Sequence, residues 1–231
     1  YTLGYFATHL GLHDKAKTYC DQAVVMDPTY CFPNRLEEIA ILRHAIVLNS
    51  ADAKASYYLG NLWYGKRQHQ DAVDCWEHAI QLDGQFPTVY RNLALAYYNR
   101  IDKKKEALPL LESAFSLDET DTRLLMELHQ LYKKEGRSYK ERLALLDRYP
   151  DLVTLRDDLF LERITLFNLL GEYESAKTLL ASRQFKPWEG GEGKVSRQYT
   201  ICQLELAKKS ILQNELQQAL SLLKALDYYP H

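Results

Sequence analysis

The chain has 231 residues, of which 46% are hydrophobic and 26% charged, and this composition excludes a disordered or collagen-like protein. Ten glycines and seven prolines provide little material for many tight turns, so an all-β fold is disfavoured. The 29 basic and 31 acidic residues nearly balance, and a net charge of -2 gives no support for binding to nucleic acid.

No apolar run approaches the ~18 residues that a membrane span requires. The four cysteines form no CxxC pair; they are Cys20, Cys31, Cys75 and Cys202. We therefore expect reduced thiols and a cytoplasmic location, with neither a membrane nor a nucleic acid as partner. The abrupt ends of the sequence are interpreted as those of a segment from a longer chain.

Residues 1–52 carry an irregular or truncated helical repeat. Small residues and a proline fit a helix pair whose first residues are missing; they are Gly4, Gly11, Ala16, Ala23 and Pro28. The stretch 35–52 then carries a single helical pattern. We predict that it forms a second helix without a full first helix before it.

Residues 53–120 carry the clearest internal repeat. Leu59-Gly60 and Trp63 come first, and an Ala-x-x-x-aromatic-x-x-Ala pattern follows at Ala72, Trp76 and Ala79. Leu93 and Tyr97 repeat Leu59 and Trp63 after 34 residues. The second half of this repeat is displaced by one more residue, because the turn before it is longer. Two amphipathic helices joined by a turn are predicted for each unit.

Residues 121–184 continue the pattern in degenerate form, and a final helix pair is expected over 196–231. The matching positions are Leu128, Tyr132, Gly136, Phe167, Gly171, Tyr173, Ala176 and Ala219. A pair of this kind cannot bury both apolar stripes alone, so stacked pairs share a continuous core.

The whole pattern resembles the tetratricopeptide repeat, most specifically between Ala53 and Leu117. This resemblance implies an all-α fold, a right-handed superhelical solenoid of antiparallel helix pairs, over residues 1–231. It also implies a concave groove, lined by the first helix of each pair, that binds a protein, a peptide or another domain of the same parent chain.

The family's register places aromatic and amide side chains in that groove: Tyr57, Asn61, Tyr64, Arg91, Asn92 and Tyr98. The next first helix offers Arg123, Met126, Gln130 and Lys133. Some members of the family grip a C-terminal carboxylate with a set of Lys and Asn residues that is incomplete here. Several of the tyrosines have an alternative role, as packing residues with a polar tip.

One segment, residues 185–195, interrupts the helices with the string FKPWEGGEGKV. Its glycines permit close approach of a ligand, and Trp188, Glu189, Glu192 and Lys194 are candidate contacts. The alternative is a connector in which Trp188 fills the core and the glycines turn the chain.

This string, together with the repeats from Phe32 onward, resembles the C-terminal repeat region of large bacterial proteins. Those proteins carry an upstream region that is reminiscent of carbohydrate-active enzymes. The leading hypothesis is a protein-interaction scaffold. The alternative that this resemblance implies is an accessory part of a carbohydrate-active enzyme, with the Trp-Gly-Glu loop contacting sugar.

The sequence supplies no catalytic motif, no cofactor fingerprint and no metal-ligand spacing of useful specificity. The segment itself is therefore predicted not to be an enzyme. Because solenoid ends expose apolar faces unless they are capped, self-association through the ends is a further expectation.

Overall fold

The computed structural model describes residues 1–188 and 190–227, and within these ranges every regular element is helical. The helices group into two compact units, Tyr1–Glu119 and the residues from Thr120 onward. In the described part of the chain, no helix combines the length and the apolar character needed to cross a membrane.

Unit 1 contains seven helices among its residues, and short turns connect most of them. They are α1 (Thr2–His9), α2 (His13–Val25), α3 (Glu37–Leu48), α4 (Ala53–Gly65), α5 (His69–Leu82), α6 (Pro87–Asn99) and α7 (Lys104–Leu117). The closest packing is within the pairs α4/α5 and α6/α7, and α5 also contacts α6. Unit 1 is thus built from stacked helix pairs, as the repeat predicts.

The Leu-Gly motif of α4 is explained by the indole of Trp76 on α5. A Cβ atom at Gly60 would lie 2.5 Å from Trp76 Nε1, so any other residue would displace the ring. Trp76 is only 2% exposed, and its Nε1 donates to the Tyr57 carbonyl oxygen at 3.3 Å. The glycine therefore lets the largest side chain of one helix lie directly on the backbone of its neighbour.

The first pair, α1/α2, repeats this arrangement with a smaller side chain. A Cβ atom at Gly4 would lie 2.5 Å from Cys20 Sγ, and Cys20 occupies the position in its helix that Trp76 has in α5. The helix α3 does not form a hairpin pair with one neighbouring helix, since it contacts both α1 and α4. It fills the space between the first pair and the regular pairs.

Unit 2 also contains seven α-helices among its described residues. They are α8 (Thr122–Lys134), α9 (Tyr139–Arg148), α10 (Pro150–Thr154), α11 (Asp157–Leu169), α12 (Tyr173–Ala181), α13 (Lys194–Leu212) and α14 (Leu216–Lys224), followed by a 3₁₀ turn at Ala225–Asp227. Helix pairing continues in α8/α9, α11/α12 and α13/α14.

Local sequence fixes several helix starts in unit 2. The Asp121 carboxylate accepts from the backbone N–H of Arg123 at 2.7 Å, and Ser138 and Glu141 form a reciprocal capping box at the start of α9. Pro150 begins the short helix α10, which packs between α9 and α11.

The connector between α12 and α13 runs over 182–193, somewhat earlier than the predicted loop of 185–195. Gly193 adopts a left-handed conformation with φ of 68° and precedes the first helical residue, Lys194. Lys194 and Val195 therefore belong to α13, not to the loop. The connector therefore ends at Gly193, because the left-handed conformation that a glycine adopts easily directs the chain into α13.

Candidate binding site

A chain of hydrogen bonds links α4 to α6 on unit 1, and we call its members, Asn61, Asn92 and Arg91, the amide ladder. Asn61 Oδ1 accepts from Asn92 Nδ2 at 3.1 Å, and Asn92 Oδ1 accepts from Arg91 at 3.2 Å. All three side chains are half-buried. Three of the predicted groove residues therefore come together in one network.

The same network fixes the orientation of the Asn61 amide. Asn61 Oδ1 also accepts from the indole Nε1 of Trp76 at 3.2 Å, so it receives two donors. Only a carbonyl oxygen can occupy that position, because an amide N–H₂ group would face two other donors. Asn61 Nδ2 donates to no atom of the described residues, and it remains as a donor at a half-buried position.

The three predicted groove tyrosines lie in different surroundings. Tyr57 is 5% exposed, and its ring lies 4.8 Å from that of Phe86, so it is a core residue. Tyr64 is half-buried, with its ring 5.5 Å from Trp76. Tyr98 is half-buried beneath the ammonium group of Lys104, at 5.7 Å from the ring centroid. Tyr64 and Tyr98 are therefore partly accessible, whereas Tyr57 is not.

The 182–193 loop of unit 2 is anchored by one carboxylate, Asp157, at the start of α11. Its Oδ1 accepts from Arg183 Nε at 2.5 Å, and its Oδ2 accepts from the backbone N–H of Lys186 at 2.8 Å. Phe185 continues this contact, with its ring 6.0 Å from that of Phe160. The loop is therefore tied to α11 by charge, backbone hydrogen bonding and aromatic packing.

Trp188 folds back over its own loop. A Cβ atom at Gly191 would lie 2.4 Å from Trp188 Cε2, and the Gly191 N–H donates to the Trp188 carbonyl at 3.0 Å. The ring is half-buried and lines two clefts of unit 2. The loop thus combines features of both interpretations, since Trp188 packs locally and keeps an accessible face.

The other predicted loop residues are separated. Glu192 is exposed and lines a cleft of about 830 Å³ together with Phe185, Trp188 and Tyr199. Lys194 lies on α13 and lines a different cleft, of about 550 Å³. Glu189 lies outside the described residues.

Unit 2 also contains a buried polar cluster that sequence inspection missed. Arg142 of α9 is 4% exposed; it donates to Glu162 Oε2 of α11 at 3.4 Å and to His129 Nε2 of α8 at 3.3 Å. Lys133 adds a second cation at 3.4 Å from Glu162 Oε1. The contributing residues lie on three helices and form no sequence motif. The one indication in the sequence is the charged Arg142 within an otherwise apolar stripe of α9.

Burial lowers the pKa of His129 to about 4, against the smaller opposing influence of the Glu162 carboxylate. The imidazole is 0% exposed and accepts from Arg142, so it is neutral near pH 7 with its proton on Nδ1. Nδ1 lies 4.0 Å from Glu162 Oε2, which is too far for a hydrogen bond. The neutral His129 therefore takes no part in the ion pairs of this cluster, which join Glu162 to Arg142 and Lys133.

Burial raises the pKa of the Cys75 and Cys202 thiols to about 11, so both thiols remain protonated at neutral pH.

Among residues 1–188 and 190–227, no group of three or more His, Cys, Asp or Glu side chains is placed to hold a metal ion.

Apolar side chains are exposed on α1 and α14. Leu3, Phe6 and Leu10 are spaced along α1 and its C-cap, and Leu216, Leu220 and Leu223 along α14, each set at helical spacing. These are the surfaces on which the expectation of self-association depends, and it stays a prediction.

No known protein-family model matches the chain. Several solved structures share its fold, among them those of YrrB, pilF and MamA. YrrB, described as a tetratricopeptide-repeat protein with an unusual peptide-binding site, has a TM-score of 0.56 and 19% identity over 80% of this chain and 90% of its own. The pilF protein of Pseudomonas aeruginosa has a TM-score of 0.53 and 16% identity over 99% and 90%.

A MamA structure has a TM-score of 0.52 and 14% identity over 86% of this chain and 89% of its own. At such low identity these likenesses establish architecture and not activity. They confirm the predicted fold class: the chain is an all-helical solenoid of tetratricopeptide type.

Proposed function

We propose that this chain is a protein-interaction scaffold. It binds an extended segment of a partner protein, or of another domain of a longer parent chain, across α4 and α6 of unit 1. The observation that carries this proposal is the Asn61 amide, which is oriented by two donors at Oδ1 and keeps Nδ2 available at a half-buried position.

The chemistry of this surface suits a peptide backbone. An amide N–H₂ group held in one orientation donates to a peptide carbonyl at low entropic cost, because the side chain is already fixed. Tyr64 of α4 and Tyr98 of α6 lie on the same two helices as the amide ladder, and their half-buried rings offer apolar area and a polar tip. Arg91 adds a cation at the same surface.

The fold gives independent support. YrrB, whose fold is similar, is described as having a peptide-binding site. Tetratricopeptide pairs present their first helices side by side, and packed helices lie about 8–10 Å apart. A peptide of about ten residues reaches roughly 33 Å when extended, which is enough to cross two such helices.

The test is a selection of random peptides of about ten residues on the immobilised full chain, followed by affinity measurements with variants. Asn61→Asp retains the acceptor for Trp76 and Asn92 but removes the free N–H donors. We expect it to fold normally and to weaken the selected peptides about tenfold or more, which is the loss of one buried hydrogen bond with added repulsion.

Arg91→Ala is expected to weaken the same peptides, whereas Arg100→Ala, an exposed arginine at the end of α6, serves as the matched control. If Asn61→Asp and Arg91→Ala bind every selected peptide as tightly as the unmodified chain, the proposed surface is not the binding site.

A second candidate function is the accessory role in a carbohydrate-active protein of bacterial origin. The accessible face of Trp188 and the exposed Glu192, which line one cleft, favour it. Titration with soluble oligosaccharides, followed by tryptophan fluorescence, tests this role. Quenching that disappears in Trp188→Phe supports it, and unchanged fluorescence with every sugar class contradicts it.

A further inference from the structure

The cleft of about 550 Å³ in unit 2 is formed by α8, α11 and α13, and Trp188 lies among its lining residues. Clefts of this size accept small ligands or a few residues of a chain. Its polar lining includes Lys133, Glu162, Lys194 and Arg197. All of its lining residues belong to unit 2.

The carboxylates that line this cleft already have partners. Glu162 is paired with Arg142 and Lys133, each at 3.4 Å. The second carboxylate, Asp158, receives both Arg156 Nε at 2.9 Å and an Arg156 terminal nitrogen at 2.6 Å. Neither carboxylate therefore offers its full charge to a ligand.

Two cations at the cleft lack such partners. Lys194 and Arg197 are three residues apart in the first turns of α13 and are both exposed. Within residues 1–188 and 190–227, neither has a carboxylate oxygen within 4.0 Å, which leaves an excess of positive charge at this rim. The N-terminal end of α13 adds to the positive potential there.

The side-chain amides of Asn168 and Gln198 also line this cleft. Asn168 Nδ2 donates to the Gln198 carbonyl oxygen at 3.1 Å and to Gln198 Oε1 at 3.0 Å. Asn168 is 6% exposed, so this contact fixes the Gln198 side chain between α11 and α13. Gln198 Nε2 donates to no atom of the described residues and is available to an acceptor in the cleft.

We propose that this cleft is a second peptide-binding site, which takes an extended segment carrying an Asp or Glu side chain. Lys194 and Arg197 receive the carboxylate, Gln198 Nε2 donates to a backbone carbonyl, and Trp188 provides an apolar wall for the neighbouring residue. Asn168 is a positioning residue, because it acts through Gln198. The site is independent of the α4–α6 surface proposed above.

The experiment is the same peptide selection on the full chain, repeated for each of two variants, Lys194→Gln and Arg197→Gln. Peptides rich in Asp or Glu should be enriched on the unmodified chain, and each substitution should weaken them about tenfold, as expected for a charge-assisted hydrogen bond. Raising the salt concentration should also weaken them, because both cations are exposed.

Lys209→Gln, the same change at an exposed lysine of α13 outside the cleft, is the matched control and should leave these affinities unchanged. Asn61→Asp should also leave them unchanged, which separates this site from the α4–α6 surface. Inorganic phosphate at equal ionic strength should fail to displace the peptides.

Three results would each overturn the proposal. They are the absence of acidic peptides among those enriched, affinities in both Lys194→Gln and Arg197→Gln that equal those of the unmodified chain, and displacement by phosphate alone. The last would identify an anion site without a peptide component. Loss of acidic peptides in Asn61→Asp with no loss in Lys194→Gln would assign them to unit 1 instead.

Discussion

The close contact between Gly60 and the Trp76 indole in unit 1 gives a testable prediction. Gly60→Ala places a Cβ atom against an indole that is 2% exposed and whose single N–H is shared between the Tyr57 carbonyl oxygen and Asn61 Oδ1. We expect a loss of about 1–3 kcal/mol in the free energy of unfolding, because the ring cannot move without breaking these bonds. Chemical denaturation measures it.

Gly65→Ala is the matched control within the same helix. No heavy atom lies within 4 Å of a Cβ atom at this position, so the change should be neutral or stabilising by up to about 1 kcal/mol. Equal destabilisation of the two variants would show that general helix effects, and not the indole contact, determine the cost.

His129 gives unit 2 a distinctive dependence on pH. Its pKa is about 4 in the folded chain, because burial disfavours the imidazolium, and about 6.5 when unfolded. The unfolded chain therefore binds a proton that the folded chain excludes, and stability falls as the pH falls from about 6.5 to about 4. We expect a loss on the order of 2 kcal/mol over this window.

Denaturation of the unmodified chain and of His129→Gln at a series of pH values measures this contribution. His129→Gln should be less stable at pH 7 but should lose less stability between pH 6.5 and 4. The difference between the two curves removes the contribution of carboxylates elsewhere in the chain. Parallel curves would contradict a neutral, buried His129 in the folded state.

At the scale of elements, the connector 182–193 depends on Asp157 for its placement. Asp157→Ala removes acceptors for Arg183 and for the Lys186 backbone N–H. We expect faster hydrogen exchange of the loop amides, with little change in α8 and α9, because local opening requires less energy than global unfolding. Asp151→Ala, at an exposed position of α10, is the control. Unchanged exchange in the loop would refute the anchoring role.

The helix pairs could be predicted from the sequence because each pair repeats the same pattern of small and large packing residues. The spacing of Gly60 and Trp76, for example, indicates that α4 packs against α5. The start of α13 could be predicted only to within a few residues, because Gly190, Gly191 and Gly193 each permit a turn. The conformation of Gly193 in the structure determines where the helix begins.

The repeat register predicts that Tyr57 lies in the groove. In the structure its ring packs against Phe86, which precedes α6, and Tyr57 is buried.

At the scale of the whole molecule, two units of the same architecture carry different polar surfaces. Unit 1 presents the amide ladder, in which Arg91 is the one cation, and unit 2 presents a cleft whose rim carries Lys194 and Arg197, neither of which forms an ion pair among the described residues. The sequence predicted the first set through the family's register. Of the residues that line the cleft, it predicted Met126, Gln130 and Lys133 by register and Trp188 and Lys194 as loop contacts, but not Glu162 or Arg197, which belong to no motif.

The most direct test of the proposed scaffold function is a map of where a bound peptide acts. Backbone amide chemical shifts of the isotopically labelled full chain are recorded during titration with the tightest selected peptide that lacks acidic residues. We expect perturbations concentrated in Ala53–Gly65 and Pro87–Asn99, and in Asn61→Asp we expect them to reach half-saturation only at about tenfold higher peptide concentration or above. Perturbations confined to residues outside α4 and α6, or the same half-saturation concentration in Asn61→Asp, would contradict the proposed function.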